Sequence, residues 1–190
     1  MRKIVLSVIA AMVAFSAPGT SLADGHKGKI QKYGEANVMG WLGSPEMIKA
    51  VQAQNAKHTS LSAADIDKLD KTWRAEKKAG GGALIESKMN NDFSTYLRGI
   101  KAKAGGVITE IFVMDNKGLN VGQTNGTGDY MQGDEAKWKK TFLVGPKAIF
   151  IDDVEKEDGI NISQTSLTVV DSAGAPIGAV TIGFAVDKLK

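Results

Sequence analysis

The chain contains no cysteine. That excludes disulfides, thiol nucleophiles, iron–sulfur clusters, thiolate zinc sites and c-type haem attachment. Only two histidines occur in 190 residues, so no histidine-built metal centre is expected. Familiar catalytic motifs are missing too: there is no nucleophile elbow, no Walker loop and no paired-histidine helix motif. No catalytic residue, metal ligand or cofactor is assigned, and the sequence reads as a non-enzyme. Charge of one sign is also scarce, with 24 basic against 21 acidic side chains. So near a balance gives little electrostatic case for nucleic acid as a partner. Beyond the N-terminus, no hydrophobic run approaches the ~20 residues a membrane-spanning helix needs.

What is present is an ordinary globular composition, 43% hydrophobic and 24% charged, in a chain long enough for one domain with a sizeable core. The start looks like a secretory signal. Arg2 and Lys3 precede a 12-residue apolar run, residues 4–15, interrupted only by Ser7. Pro18 and Gly19 follow, and Ser21-Leu22-Ala23 places small residues where a signal peptidase reads them. Cleavage after Ala23 would remove two of the 24 basic side chains, leaving 22 against 21 acidic ones. The expected location is therefore the periplasm.

Residues 24–43 form a polar, glycine-containing stretch expected to be a flexible lead-in. Helical spacing dominates residues 44–104. Ser44-Pro45 is an N-cap followed by proline at the first helical position. Ser62 with Asp65 three residues on resembles a capping box. Short helices are expected at residues 84–89 and around Phe93, Leu97 and Ile100. After Gly105-Gly106 the period changes to two. Strands are expected at residues 107–114, 119–123, 148–154, 160–170 and 176–186. A short helix carrying Trp138 inward is expected within residues 134–140. Short turns between neighbouring strands imply hairpins. The fold class is α+β: N-terminal helices on a five-stranded antiparallel sheet, residues 105–190 supplying the sheet.

Residues 129–138 hold the densest chemistry. Asp129, Tyr130, Gln132, Lys137 and Trp138 combine two large aromatics with an amide and both charge signs. Aromatics shape a pocket, and a few convergent polar groups orient its ligand. The same aromatics could equally plug the core. Gln164, Ser166 and Thr168 share one face of a strand, either solvent or pocket wall. Asp152, Asp153, Glu155, Glu157 and Asp158 cluster at a hairpin, where a solvated turn is the simpler expectation than a calcium loop. Gly122, Gly126 and Gly128 are expected to relieve a turn, and His58 to be a surface or helix-terminal residue.

Taken in order, several stretches look familiar. They are residues 108–115, the turn at Gly118, Asn120-Val121-Gly122-Gln123, the 129–138 segment, Gln164-Thr165-Ser166-Leu167 and residues 177–183. With Gln54-Asn55-Ala56-Lys57-His58, Leu69-Asp70 and Trp73-Arg74-Ala75-Glu76, the likeness runs over residues 38–189. The chain resembles the Cache, or PDC-type, extracytoplasmic sensor domains, and more closely the free-standing periplasmic PDC sensor domain-containing proteins. The resemblance implies a PAS-like sheet whose face binds a small metabolite, a carboxylate, amino acid or amine, under a loop and short helix. Many Cache loops carry an Arg-Asp-Tyr-Phe-like motif. Here the stretch is Gly128-Asp129-Tyr130-Met131, which keeps the aspartate and tyrosine but not the arginine or second aromatic.

The expectation is a sensor module that binds a small molecule and reports occupancy to a separate partner protein. A helix-mediated homodimer stays open, as does an interaction subunit without a ligand. Asp129 would favour a cation and Lys137 an anion; the sequence does not choose.

Overall fold

The computed structural model describes residues 22–190, so the expected signal segment lies outside the described residues up to residue 21. Among the described residues six helices precede the sheet: α1 (Leu22–Asn37), α2 (Met39–Leu42), α3 (Pro45–Lys57), α4 (Ala63–Lys78), α5 (Ala83–Met89) and α6 (Asp92–Lys103). Then come β1 (Ile108–Met114), β2 (Asn120–Gln123), a short α7 (Ala136–Lys139), β3 (Ile149–Glu157), β4 (Ile160–Val170) and β5 (Pro176–Ala185). The strands form one antiparallel sheet in the order β2-β1-β5-β4-β3. No helix among the described residues is long and apolar enough to cross a membrane.

The capping signals act where the sequence places them. Ser44 Oγ accepts from Met47 N at 3.2 Å, with Pro45 opening α3. Ser62 and Asp65 close a reciprocal box at α4. Such caps satisfy backbone donors that a helix start leaves free.

Residues 24–43 differ from the expected flexible lead-in. Most of this stretch is helical, and it packs on the sheet. Ile30 and Val38 are buried, and Tyr33 meets the Phe184 ring edge-on at 5.7 Å. The local sequence hides this helix because Gly25, Gly28 and Gly34 depress its propensity. Burial against the sheet supplies the missing stability.

Alternation divides the sheet into two faces. Ile111 and Val113 of β1, Leu167 and Val169 of β4, and Val180 and Ile182 of β5 meet Met47 and Val51 of α3 and Phe93 and Leu97 of α6. The opposite face carries Phe112, Met114 and Ala179, covered in part by Trp138 and Phe142. A third cluster joins Trp73 of α4 to Leu119 and Tyr130 beside the β2 edge.

The β1–β2 turn is held by Asp115, which is fully buried. Its Oδ1 accepts from Lys117 N at 2.8 Å and Leu119 N at 2.9 Å. Its Oδ2 accepts from His58 Nδ1 at 2.7 Å and Gln54 Nε2 at 3.0 Å. His58 thus ends α3 as expected, but it is buried rather than on the surface. Gly118 has φ 78°, and a Cβ there would lie 2.3 Å from Gly133 Cα, so the turn requires glycine. Gly122 also departs from expectation. It sits within β2, where a Cβ would come within 2.7 Å of the Phe93 ring.

Candidate functional site

The uncovered part of the distal sheet face, away from the helices α1, α3 and α6, forms a cavity of about 320 Å³. Its floor is Glu110 and Phe112 of β1 with Gln164 of β4. Its roof is the β2–β3 connection, through residues 126–129, Gln132, Glu135 and Lys137. A second hollow of about 330 Å³ shares Glu135, Lys137, Glu157 and Gln164 with it and extends to Asp152, Asp153 and Glu155. The two hollows adjoin along these shared walls and are treated together as one groove.

The floor follows from strand period. On β1, Ile111 and Val113 face the helices, so Glu110 and Phe112 face the groove. Gln164 Nε2 donates to Glu110 Oε1 at 2.7 Å, fixing the carboxyl group. Burial pushes the Glu110 carboxyl above the usual range, and the Gln164 bond only partly opposes this.

One face of α4 braces the roof. Asp70, Trp73, Arg74 and Lys77 recur at helical spacing and all reach the loop. Asp70 Oδ1 accepts from Tyr130 N at 2.9 Å and Met131 N at 3.0 Å. Trp73 Nε1 donates to Thr127 O at 3.1 Å, and Lys77 Nζ donates to Gly126 O and Thr127 O at 2.7 Å each. Arg74 pairs with Asp70 at 2.7 Å and reaches Asp129 Oδ2 at 3.5 Å. Asp129 also accepts from Gln132 Nε2. Burial raises the Asp129 carboxyl, aided by Glu135 and Asp70; Arg74 and Lys137 pull it back.

Lys137 is the cation of the groove wall. It pairs with Glu135 at 2.9 Å and lies over the Phe112 ring at 5.2 Å from its centroid. Against it stand Glu110, Asp129, Glu135 and Glu157 in the inner cavity, with Asp152, Asp153 and Glu155 beyond. Seven carboxyl groups therefore face one ammonium. Among the described residues no three of these groups converge as metal ligands would.

Of the residues expected at a site, the structure gathers Asp129, Gln132, Lys137 and Gln164 around the cavity. Tyr130, Trp138 and Ser166 lie elsewhere. Tyr130 is 1% exposed and stacks on Trp73 with ring centroids 5.6 Å apart. That burial, with the Asp115 charge, drives its phenol upward. Trp138 stacks on Phe142 at 5.0 Å, covers Phe112 and Met114, and donates its indole N–H to Asp115 O at 3.2 Å. It fills the distal face beside the cavity instead of lining it. Ser166 is buried and bonded to Thr181 at 2.9 Å. Tyr130 behaves as core because neighbours already in place bury its large apolar surface, and the half-buried Trp138 packs its inner face on Phe112 and Met114.

Glu110, Phe112, Glu135 and Glu157 line the cavity without having been singled out as its walls. One signal was available: Glu110 is a carboxylate inside an otherwise apolar strand, residues 108–114. The acidic hairpin 152–158 is exposed, as a solvated turn would be, yet its strand portion forms one wall of the groove.

No protein-family model matches the chain, and no curated protein does. Solved structures do. The sensor domain of DcuS from E. coli superposes with a TM-score of 0.50 at 14% identity, over 86% of this chain and 93% of that one. The ligand-binding domain of the Campylobacter jejuni chemoreceptor Tlp3, in complex with 4-methylisoleucine, gives a TM-score of 0.43 at 9% identity, over 86% and 56%. The sensor domain of the V. cholerae histidine kinase DctB gives 0.37 at 12% identity, over 86% and 57%. The chain spans little more than half of the latter two domains. With helices on one face of a sheet ordered β2-β1-β5-β4-β3, and a loop and short helix over the other, this chain has the Cache, or PDC-type, sensor-domain fold.

Proposed function

We propose that the chain is an extracytoplasmic, non-catalytic sensor module that binds a small organic cation, an amine, and passes its occupancy to a separate partner protein. The observation that carries the charge choice is the groove wall, with seven carboxyl groups against Lys137. An anionic ligand would enter a field of its own sign, whereas an ammonium would gain from it. Burial makes the bare carboxyl groups of Glu110 and Asp129 costly to ionise, and an ammonium beside them lowers that cost. The likeness to the DcuS sensor domain supports the sensing role. The signal-like N-terminus supports the periplasmic location.

Transmission follows from the roof. Asp129 faces both the cavity and Arg74 of α4. A bound ammonium would compete with Arg74 for that carboxylate, changing how α4 holds residues 126–131. A partner that prefers one arrangement of α4 would then read occupancy as a population shift.

A thermal-shift panel of aliphatic amines, amino acids, dicarboxylates and divalent metal ions tests this. Stabilisation by amines, lost in Glu110→Gln, is expected. Stabilisation by dicarboxylates alone would overturn the charge assignment. A negative across the whole panel would favour the ligand-free interaction subunit, for which the packing of Trp138 and Phe142 over Phe112, Met114 and Ala179 is the supporting feature.

A further inference from the structure

The ammonium expected of the ligand has a counterpart already in the groove, on Lys137. Its Nζ lies 2.9 Å from Glu135 Oε2 and 5.2 Å from the centroid of the Phe112 ring, and it donates to Gln132 Oε1 at 3.4 Å. A carboxylate, an amide oxygen and an aromatic face together make a seat for an ammonium group. Lys137, Glu135, Gln132 and Phe112 all line the inner cavity, with Glu110 and Asp129 beside them. Burial raises both of these carboxyl groups, and the Lys137 charge is among those that pull them back. In the unliganded chain Lys137 therefore eases the same ionisation that a bound amine would ease.

This occupant is free to leave. The Lys137 side chain is 17% exposed and that of Glu135 38%, so solvent screens their pair and the pair is weak. The backbone, by contrast, is pinned. Thr141 Oγ1 donates to Lys137 O at 2.6 Å, and the adjacent Trp138 stacks on Phe142 and donates to Asp115 O. The flexible four-carbon stem can swing to solvent while α7 stays in place. Phe112, 2% exposed with Lys137 over it, would then gain accessible ring face on the groove side.

We propose, resting on the amine reading, that Lys137 is a tethered stand-in for the ligand: its ammonium holds the seat of the ligand's ammonium, and the ligand is a primary amine on an unbranched alkyl chain that displaces it. The seat selects this class. Glu135 and Gln132 Oε1 accept hydrogen bonds, which an –NH3+ group donates and a quaternary ammonium cannot. The chain that now reaches the seat is itself unbranched. The tether also sets affinity, because only molecules with the seat vacated are competent, and apparent affinity falls by that fraction. Binding moves one positive charge from the groove to the surface of α7.

The test is titration of the purified protein with n-butylammonium chloride, followed by calorimetry and by NMR of the lysine ε-methylene protons, with tetramethylammonium as the quaternary comparison. The Lys137 ε-protons, shifted by the Phe112 ring, should move to the free-lysine position as butylammonium saturates. Lys137→Ala should bind butylammonium about tenfold more tightly, the combined worth of a partly exposed ion pair and a cation–π contact. Lys139→Ala removes the same charge from an exposed position on the same helix and should stay close to wild type. Tetramethylammonium should bind more weakly than butylammonium to all three proteins. Two results would overturn the stand-in and leave the amine reading intact: saturation with the Lys137 ε-protons still ring-shifted, or equal affinities in Lys137→Ala and Lys139→Ala. Preference for tetramethylammonium would overturn the primary-amine class. Absence of butylammonium binding to both wild type and Lys137→Ala would overturn the amine reading and the stand-in with it.

Discussion

Glu110→Gln separates the cost of the groove from its use. The substitution keeps an acceptor for Gln164 Nε2, now 2.7 Å from Glu110 Oε1, and removes only the charge. Two effects of opposite sign follow. Binding should weaken, because a hydrogen bond to an ionised carboxylate contributes about 1.5–3 kcal/mol, which is roughly a 10- to 150-fold change in Kd. The unliganded protein should become more stable at neutral pH. Glu110 titrates above its ordinary value in the fold, so its folded form binds the proton more readily than its unfolded form. Its contribution is therefore fully present at acid pH and is lost as pH rises through the raised value. Glutamine escapes that loss. In a thermal-shift assay, an amine at 100 times its wild-type Kd adds about 2.7 kcal/mol, or roughly 5–11 °C for a chain of this size. After a hundredfold loss of affinity the same concentration adds only about 0.4 kcal/mol, roughly 1–2 °C. The reasoning is refuted if the amine shift is the same in both proteins, or if unliganded Glu110→Gln melts lower at pH 7 than wild type.

Trp138→Ala, at a half-buried position, should cost up to about 3 kcal/mol, the low end for a core tryptophan, by uncovering Phe112 and Met114, yet retain most of the amine-induced Tm shift; losing the shift altogether would make Trp138 a ligand wall. Amine affinity, measured by calorimetry from pH 7.5 down to 4.5, should fall as protons return to Glu110 and Asp129, both raised by burial; an affinity flat across that range would exclude these carboxylates as the anchor. Lys88, held at about 8 by burial and by Lys57, disfavours the fold while charged. Wild type should therefore gain up to ~3 kcal/mol relative to Lys88→Met between pH 8 and 10.5, since the unfolded chain binds the extra proton there; parallel stability curves would contradict the burial.

The sequence alone determined the framework. Ser44-Pro45 and Ser62-Asp65 are local devices, and they start α3 and α4 because a cap needs only its own neighbours. Period two over residues 107–114, 160–170 and 176–186, with short turns, specified an antiparallel sheet, since alternation is a property of the strand itself. The helix α1 could not be read this way. Its three glycines argue against it, and Ile30 and Tyr33, with Val38 just beyond its end, stabilise it by meeting the sheet. The turn between β3 and β4 is shorter than composition suggests for a similar reason. Charged residues 155–157 looked like turn, but pairing with residues 160–162 keeps them in strand up to Glu157.

The site divides along the same line. Asp129, Gln132, Lys137 and Gln164 could be picked out by residue type and position. Whether Tyr130 and Trp138 were walls or core depended on Trp73, Asp115 and Phe142, which are remote or unremarkable in sequence and adjacent in space. The groove's sign was decided the same way. Glu110 comes from β1, Asp129 from the loop, Glu157 from β3 and Arg74 from α4, and only the tertiary structure brings their charges within range of one another. Electrostatic preference is a sum over neighbours in space, and a linear chain does not display that sum.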